Sequence, residues 1–449
     1  MATGKQSTNE TKRIAVVGSG ISGLSAAWLM SQSASVTVYE GDNRLGGHSN
    51  TVTVTGSEGD IDVDTGFIVY NERNYPNLVE LFRTVGVETQ ASNMSFAVSL
   101  NGGKMEYSGS GLNGLMGQRG NIVRPKFWGM LRDLLRFYRE APLALSSPAV
   151  EDVTIGEYLD ANGYGPGFID NHLLPMGAAI WSASSEEMRA YPFKAFVRFF
   201  VSHGLLTLKD RPQWRTVDGG SRQYVNRLQQ DLSDIRLSTR VISVERNSNG
   251  VHILDEHGNR EIFSDVVIAA HADQALLMLG DASTEERNML NSFRYTDNEA
   301  VLHTDPSLMP KRKRTWASWN YIGEAGRDGA QSLCVTYWMN RLQNIPMTDP
   351  LFVTLNPIRE IAPENILRLI HYMHPIFDRA ALEAQRNLWR IQGKNGIWFC
   401  GAYCGYGFHE DGLQSGLAVA EAISGQKRPW TVANESGRIH LPPRLEAAE

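Results

Sequence analysis

The sequence predicts an α/β protein organised around a parallel sheet that carries a dinucleotide, and three observations predict it. Arg13-Ile14-Ala15-Val16-Val17 is a short apolar run of the kind that forms a buried parallel strand, and it leads straight into Gly18-Ser19-Gly20-Ile21-Ser22-Gly23. A second run, Ser35-Val36-Thr37-Val38-Tyr39, ends in an acidic residue, Glu40. Near the far end, Gly396-Ile397-Trp398-Phe399-Cys400-Gly401-Ala402 again reads as a buried strand entering a glycine turn, with a helical segment from Leu413 to Ile423 behind it.

Each glycine of the first motif has a physical task. Gly18 permits the tight turn, Gly20 lets the backbone approach a pyrophosphate, and Gly23 lets the helix from Leu24 to Ser31 pack closely on the strand. Phosphates would sit at the helix N-terminus, beside Ile21 and Ser22, where free N–H groups and the dipole favour anions. Glu40, followed by Gly41, stands at the distance where a carboxylate accepts hydrogen bonds from ribose hydroxyls. That carboxylate disfavours a 2′-phosphate, which leaves NAD or FAD. Between the two ends, Asp218-Gly219-Gly220-Ser221-Arg222-Gln223-Tyr224 precedes a helical Val225 to Asp231, Gly250 marks a turn, and Asp265 to Ala270 returns as a buried strand.

The chain has 449 residues, 42% hydrophobic and 20% charged, enough for one large domain or two interleaved ones. A formal charge of -6 and the lack of a basic stripe with interleaved aromatics give no reason to expect nucleic acid. The run Lys311-Arg312-Lys313-Arg314 reads as a solvated loop, with an acidic headgroup or membrane surface as the alternative. Three cysteines, an odd and small number, argue against a disulfide framework and for a reducing compartment, with cytoplasm the default. Residues 1–12 are polar and read as a disordered leader, and no apolar run is long enough to span a membrane.

The stretch from Glu40 through Arg44 to Gly46-Gly47-His48 resembles the fingerprint of flavoproteins in the amine oxidase, phytoene desaturase and protoporphyrinogen oxidase group. That resemblance implies FAD, bound without a covalent link, with Arg44 on the pyrophosphate side and Gly46-Gly47 passing beneath the cofactor. Asp64-Thr65-Gly66-Phe67-Ile68 is similar to the segment this group runs past the flavin, although Asp64 also fits a turn or cap carboxylate. By the same resemblance the backbone at Val241 pairs with the adenine edge. The helix after Gly401 points its start, at Asp411, Gly412 and Leu413, toward the flavin pyrimidine ring, where a helix dipole stabilises negative charge. Longer matches, such as Gly405-Tyr406-Gly407-Phe408-His409-Glu410-Asp411-Gly412, are similar to a branch that includes the flavoprotein portion fused to plant cyclopropane fatty acid synthases and bacterial flavoproteins of fatty acid modification.

The implied architecture is a Rossmann-like FAD domain of the amine oxidase type assembled from residues 13–100, 210–275 and 385–427. An α+β substrate domain is inserted as 101–209 and 276–384, and 428–449 form a C-terminal tail. Pro125 to Arg139 is amphipathic, with Phe127, Leu131, Leu134, Leu135 and Tyr138 at helical spacing, a core stripe or else a membrane or tunnel face. Trp181, Trp316, Trp319 and Trp338 fall in the same insertions and Trp214 just past the first of them, as pocket lining or as core.

A flavin accepts the hydride itself, so the protein needs only to orient substrate and exclude water. His409, beside Glu410, is the best acid/base candidate, with a loop-capping role as the alternative; the resemblance makes Tyr406 an aromatic flanking the flavin. Tyr372 and His374 enter from the opposite side by family topology. His48, His271 and His409 are scattered along the chain without the spacing of zinc ligands, and no metal is expected. The expected partner is a hydrophobic or lipid substrate, with peripheral membrane contact open. Three functions follow: an oxidoreductase acting on fatty-acyl chains, an amine oxidase releasing peroxide, or a non-redox role as an isomerase or partner of a lipid methyltransferase.

Overall fold

The structure, a computed structural model, describes residues 12–181, 184–207, 210–325 and 331–442. Almost all of the expected leader, and Ser182, lie outside them.

Five short strands make a wholly parallel sheet in the order Asp234–Arg236, Ser35–Tyr39, Arg13–Val17, Asp265–Ile268, Ile397–Phe399. The apolar residues of Ser35–Tyr39, Arg13–Val17 and Asp265–Ile268 are buried, as a parallel sheet requires, while the edge strand Asp234–Arg236 is half-buried. Helix α1 (Ile21–Met30) covers one face and is buried along its whole length. The carboxyl ends of four strands deliver Gly18, Glu40, Ala269 and Cys400 to one edge, the place where open α/β sheets bind ligands.

A seven-stranded sheet lies beyond that edge, in the order Ile366–Ile376, Arg294–His303, Phe352–Leu355, Gln331–Trp338, Trp319–Ala325, Phe96–Leu100, Met105–Ser108. Its pairs are antiparallel except Trp319–Ala325 with Phe96–Leu100. Helices α2 (Pro76–Val85) and α3 (Pro125–Ala144) flank the two layers, and further helices at Leu174–Trp181 and Phe193–Ser202 complete the second core. Phe96–Leu100 belongs to this second sheet, so a division at residue 100 falls one strand late.

The C-terminal helix, α4, runs from His409 to Ser424, four residues earlier than its sequence periodicity indicates. Its first turn is polar and its N-cap is Phe408, a residue type that gives no capping signal; Asp411 supplies the cap by accepting from the Phe408 backbone N–H at 2.8 Å. The described part of the segment read as a tail, residues 428–442, is packed. Arg428 is buried, pairs with Glu421 at 2.8 Å and donates to the Asn77 side chain at 2.9 Å, while Trp430 stacks on Trp28. Among the described residues no helix is long and apolar enough to cross a membrane.

Candidate active site

Two glycine-bearing loops meet at the edge of the parallel sheet. Gly18 has φ +102 and Gly46 φ +109, conformations that side chains resist. The Gly46 N–H donates to the Ser19 carbonyl at 3.0 Å, and a Cβ on Gly47 would lie 3.2 Å from the Cα of Gly20. A Cβ on Gly23 would stand 1.9 Å from the Gly18 carbonyl oxygen, which is why the helix can sit so close to its strand. At Gly20 the situation is reversed, since a Cβ would meet no atom within 4 Å. The open space lies at the start of α1, which no side chain caps. This is a cradle where an anion would find free N–H donors.

Glu40 borders the cradle. One carboxylate oxygen accepts from the Ser19 backbone at 2.9 Å and from the Ser19 hydroxyl, and the other accepts from the Asp42 N–H at 2.9 Å. No cation pairs with it among the described residues, which leaves acceptor capacity for hydroxyl donors. Ser238 and Thr239 donate to the carbonyls of Asp42 and Glu40, and so set Val241 beside this corner, with its side chain in the core. Gly41 passes against Arg240. Arg44 donates to the Gly47 carbonyl at 2.9 Å, bracing the second glycine loop. The uncapped helix start, the vacant space at Gly20 and the unpaired Glu40 carboxylate fit the pyrophosphate and ribose of FAD.

α4 enters the same corner. A Cβ on Gly412 would strike Ile21 at 2.9 Å, and one on Gly416 would strike the Ser22 carbonyl at 2.2 Å, so small residues on both helices allow their crossing. Leu413 is fully buried there, and Gly401 exchanges hydrogen bonds with Ser415 at 3.0 and 3.1 Å.

The loops 46–50 and 64–68 are zipped together. Thr65 donates to the Asn50 carbonyl and Phe67 to the His48 carbonyl, at 2.9 and 2.7 Å, and Gly66 fits only because a Cβ would lie 2.3 Å from the His48 oxygen. The Ile68 carbonyl accepts from Thr216 at 2.8 Å. Asp64 proves to be a buried cap. It accepts from Thr51 at 2.6 Å and from the Ser221 N–H and hydroxyl at 2.9 and 2.7 Å. Burial pushes its carboxyl up to about 6 against those donors.

His409 and Glu410 are adjacent in sequence and diverge in space. His409 stacks on Phe67 with ring centroids 3.7 Å apart, and its Nε2 shares hydrogen bonds at 2.9 Å with both Ser49 and Tyr224. Burial holds the imidazole down to about 3, so it is neutral near pH 7. Glu410 faces away from it. Its carboxylate accepts from the backbone N–H groups of Asn77 and Leu78 at 3.1 and 3.0 Å, the Asn77 side chain at 2.7 Å and Gln414 at 3.0 Å. It therefore caps the start of α2, and the acid/base role read for it gives way to a structural one, because its oxygens are already occupied by donors.

His48 and His271, far apart in sequence, come together. The His48 ring lies 4.8 Å from Tyr372, 5.5 Å from His374 and 6.5 Å from His271, centroid to centroid. Tyr372 in turn shares hydrogen bonds with Asn50 and Thr65 at 3.0 and 2.9 Å. Burial lowers all three imidazoles, with His374 brought down to about 4. Strand Ile366–Ile376 of the second sheet thus closes over the glycine loops of the first.

On the second-domain side, Phe408 stacks on Phe199 at 4.9 Å, Tyr406 lies 6.3 Å from Phe199, and Trp181 touches Tyr191 and Phe199 at 4.8 and 4.7 Å. The Trp181 Nε1, the Tyr191 hydroxyl and the Nε2 of His203, which stacks on Phe199 at 3.9 Å, are buried without a hydrogen-bond partner among the described residues. Such groups are costly unless something satisfies them. Trp316, by contrast, donates to the Pro310 carbonyl at 2.7 Å and packs on Trp338, as a core residue does. Phe199 and Arg438 carry no sequence motif that marks them; Tyr224 closes the Asp218–Tyr224 segment and Ser49 follows Gly46-Gly47-His48, but nothing in either stretch points to His409. Arg438, 3.5 Å from Asp411, comes from the segment read as a tail.

Both burial and the neighbouring thiol raise Cys400, and burial pushes Cys404 up to about 12, so neither thiol is a ready nucleophile toward a flavin.

Residues 21–341 match the family model of flavin-containing amine oxidoreductases. The fold is similar to cyclohexylamine oxidase from Brevibacterium oxydans, at TM-score 0.66 and 17% identity over 92% of this chain and 99% of that one. A putative protoporphyrinogen oxidase from Exiguobacterium aligns at TM-score 0.61 and 17% identity, covering 92% and 98%. A CLA-producing fatty acid isomerase from P. acnes aligns at TM-score 0.62 and 14% identity, also covering 92% and 98%. Comparison with curated protein sequences gives no match.

Proposed function

We propose that this chain, which belongs to the flavin-containing amine oxidoreductase family and is an FAD-dependent oxidoreductase, acts on fatty acids or fatty-acyl chains. When bound, FAD supplies the hydride acceptor. The protein's share is binding, orientation and exclusion of water.

The observation that carries the substrate reading is the aromatic cluster of Phe199, Phe408, Tyr406, Trp181 and Tyr191. It is apolar over most of its surface, and together with the adjoining His203 it holds three buried polar tips that nothing among the described residues satisfies. An acyl chain would pack on the rings, and a carboxyl or ester oxygen would accept from Trp181 Nε1 or the Tyr191 hydroxyl. The nearby acids are engaged elsewhere: Asp411 caps α4 beside Arg438, and Glu410 caps α2. An ammonium group would find no free carboxylate among them. The likeness to a fatty acid isomerase supports the acyl reading, and the likeness to cyclohexylamine oxidase supports the alternative of an amine.

His409, neutral and held by Ser49 and Tyr224, fixes the start of α4 in place. Neutral His48, His271 and His374 line the join of the two sheets as groups that donate or accept without carrying charge.

Incubating the holoprotein with free fatty acids, acyl phospholipids and primary amines, and weighing the products by mass spectrometry, tests this. A loss of two hydrogens or gain of an oxygen in an acyl product is expected. An unchanged mass with a shifted double bond would make the enzyme an isomerase, and peroxide with aldehyde from amines would make it an amine oxidase.

A further inference from the structure

The outer face of α3 carries a stripe that the core does not use. Phe127, Met130, Phe137 and Ala141 are buried against the second domain. On the opposite side, at helical spacing of 4, 3, 4 and 4 residues, stand Trp128, Arg132, Leu135, Arg139 and Leu143. The three apolar members are 49%, 52% and 72% exposed. The turn before the helix is exposed as well: Val123 is 81% exposed, and Trp128 Nε1 donates to the Ile122 carbonyl at 2.8 Å, tying the turn to the helix. Leu135 was expected in the core stripe; the helix phase puts it outside.

Beside the stripe is a cavity of about 610 Å³ lined by Gly117, Arg119, Arg312, Lys313 and Arg314. It is the basic run of the sequence, folded against the turn that leads to α3. Arg312 is held by buried Glu106 at 2.7 Å, and no acid pairs with Arg119, Lys313 or Arg314 among the described residues. A bare cationic pocket next to exposed tryptophan and leucine is complementary to an anionic, half-apolar surface.

We propose that this face docks on an anionic lipid bilayer. Trp128, Leu135 and Leu143 enter the interface, the arginines of the stripe snorkel to the headgroups, and the cavity takes a lipid phosphate. The chain's net charge of -6 makes the local patch, and not bulk charge, the source of the attraction.

The test is co-sedimentation of the FAD-loaded protein with vesicles of phosphatidylcholine alone, with vesicles containing phosphatidylglycerol, and with the latter plus inorganic phosphate. Binding to the anionic vesicles only, weakened by salt, is expected. The Trp128→Ser, Leu135→Ser double variant should partition about tenfold or more less well, with flavin content unchanged as the control for folding. Arg119→Glu with Arg314→Glu should abolish the preference for anionic lipid. No binding, equal binding to both vesicles, variants that bind as well as the parent, or full displacement by inorganic phosphate would each overturn the proposal. The readout is partition and not turnover, so it stands or falls separately from the acyl substrate.

Discussion

Where the parallel sheet ends, the chain is built from missing side chains; in the aromatic cluster of the second domain it is built from large ones. Gly18, Gly20, Gly23, Gly46 and Gly47 bring backbone to within touching distance of backbone, and the vacancy at Gly20 is what remains for a ligand. Phe199, Phe408, Trp181 and Tyr191 instead fill their volume and leave polar tips unmet. The first kind of site tolerates no added atom. The second tolerates changes that preserve volume.

The largest effect expected from this contrast is at Gly23 and Gly20. Gly23→Val would drive a side chain into the Gly18 carbonyl, at a cost of about 3 kcal/mol or more, so little folded protein should be recovered. Gly20→Val meets nothing in the chain itself. The apoprotein should melt normally but retain little FAD, read by absorbance after gel filtration. Equal behaviour of the two variants would break the distinction between packing glycines and cradle glycines.

Acid should act next, and it should act through buried imidazoles. Burial holds His172 down to about 4 and His203 to about 3, below their unfolded value. A lowered folded pKa means the unfolded chain binds the proton first, so this stability is complete above about pH 6.5 and is lost as the pH falls. For His172 the loss approaches about 3 kcal/mol near pH 4, and His172→Phe should flatten the urea midpoint between pH 7 and 4.5. Asp64, raised to about 6, runs the other way: its contribution is lost as the pH rises from the unfolded value through 6.

Glu40→Ala should weaken FAD retention by about ten- to a hundredfold, measured by equilibrium dialysis, while stability of the apoprotein changes little. Unchanged affinity would place the ribose elsewhere. Glu410→Gln should cost about 1–2 kcal/mol of stability through α2 and leave the pH profile of turnover alone; a shifted profile would restore it as an acid or base. The smallest effect on stability is expected at Tyr191, whose hydroxyl lacks a partner. Tyr191→Phe should alter unfolding by no more than about 0.5 kcal/mol and raise KM for an acyl substrate, which sharpens the assignment of the aromatic cluster.

The contrast also explains what the sequence made legible. Gly18 to Gly23 and Gly46-Gly47 act through backbone geometry, which spacing along the chain encodes directly, and so the first two strands and the cradle are readable from residues 13–48. Asp64 fits a cap carboxylate by residue type, but its donors, Thr51 and Ser221, come from other segments and could not be read from its neighbours. The meeting of His48 with His271 and His374, or of His409 with Ser49 and Tyr224, depends on strands brought together from opposite ends of the chain, and no local pattern carries it. Glu410 was misread for the same reason: its donors, Asn77 and Leu78, lie more than three hundred residues away. The start of α4 was placed late because its cap is closed by Asp411 onto a phenylalanine.

The measurement that bears most directly on the acyl reading is anaerobic bleaching of the flavin absorbance of the purified holoprotein, with fatty acids, acyl phospholipids and amines added in parallel. Bleaching by an acyl compound and not by amines is the predicted result. Bleaching by amines alone would contradict it and return the chain to the chemistry its family is named for.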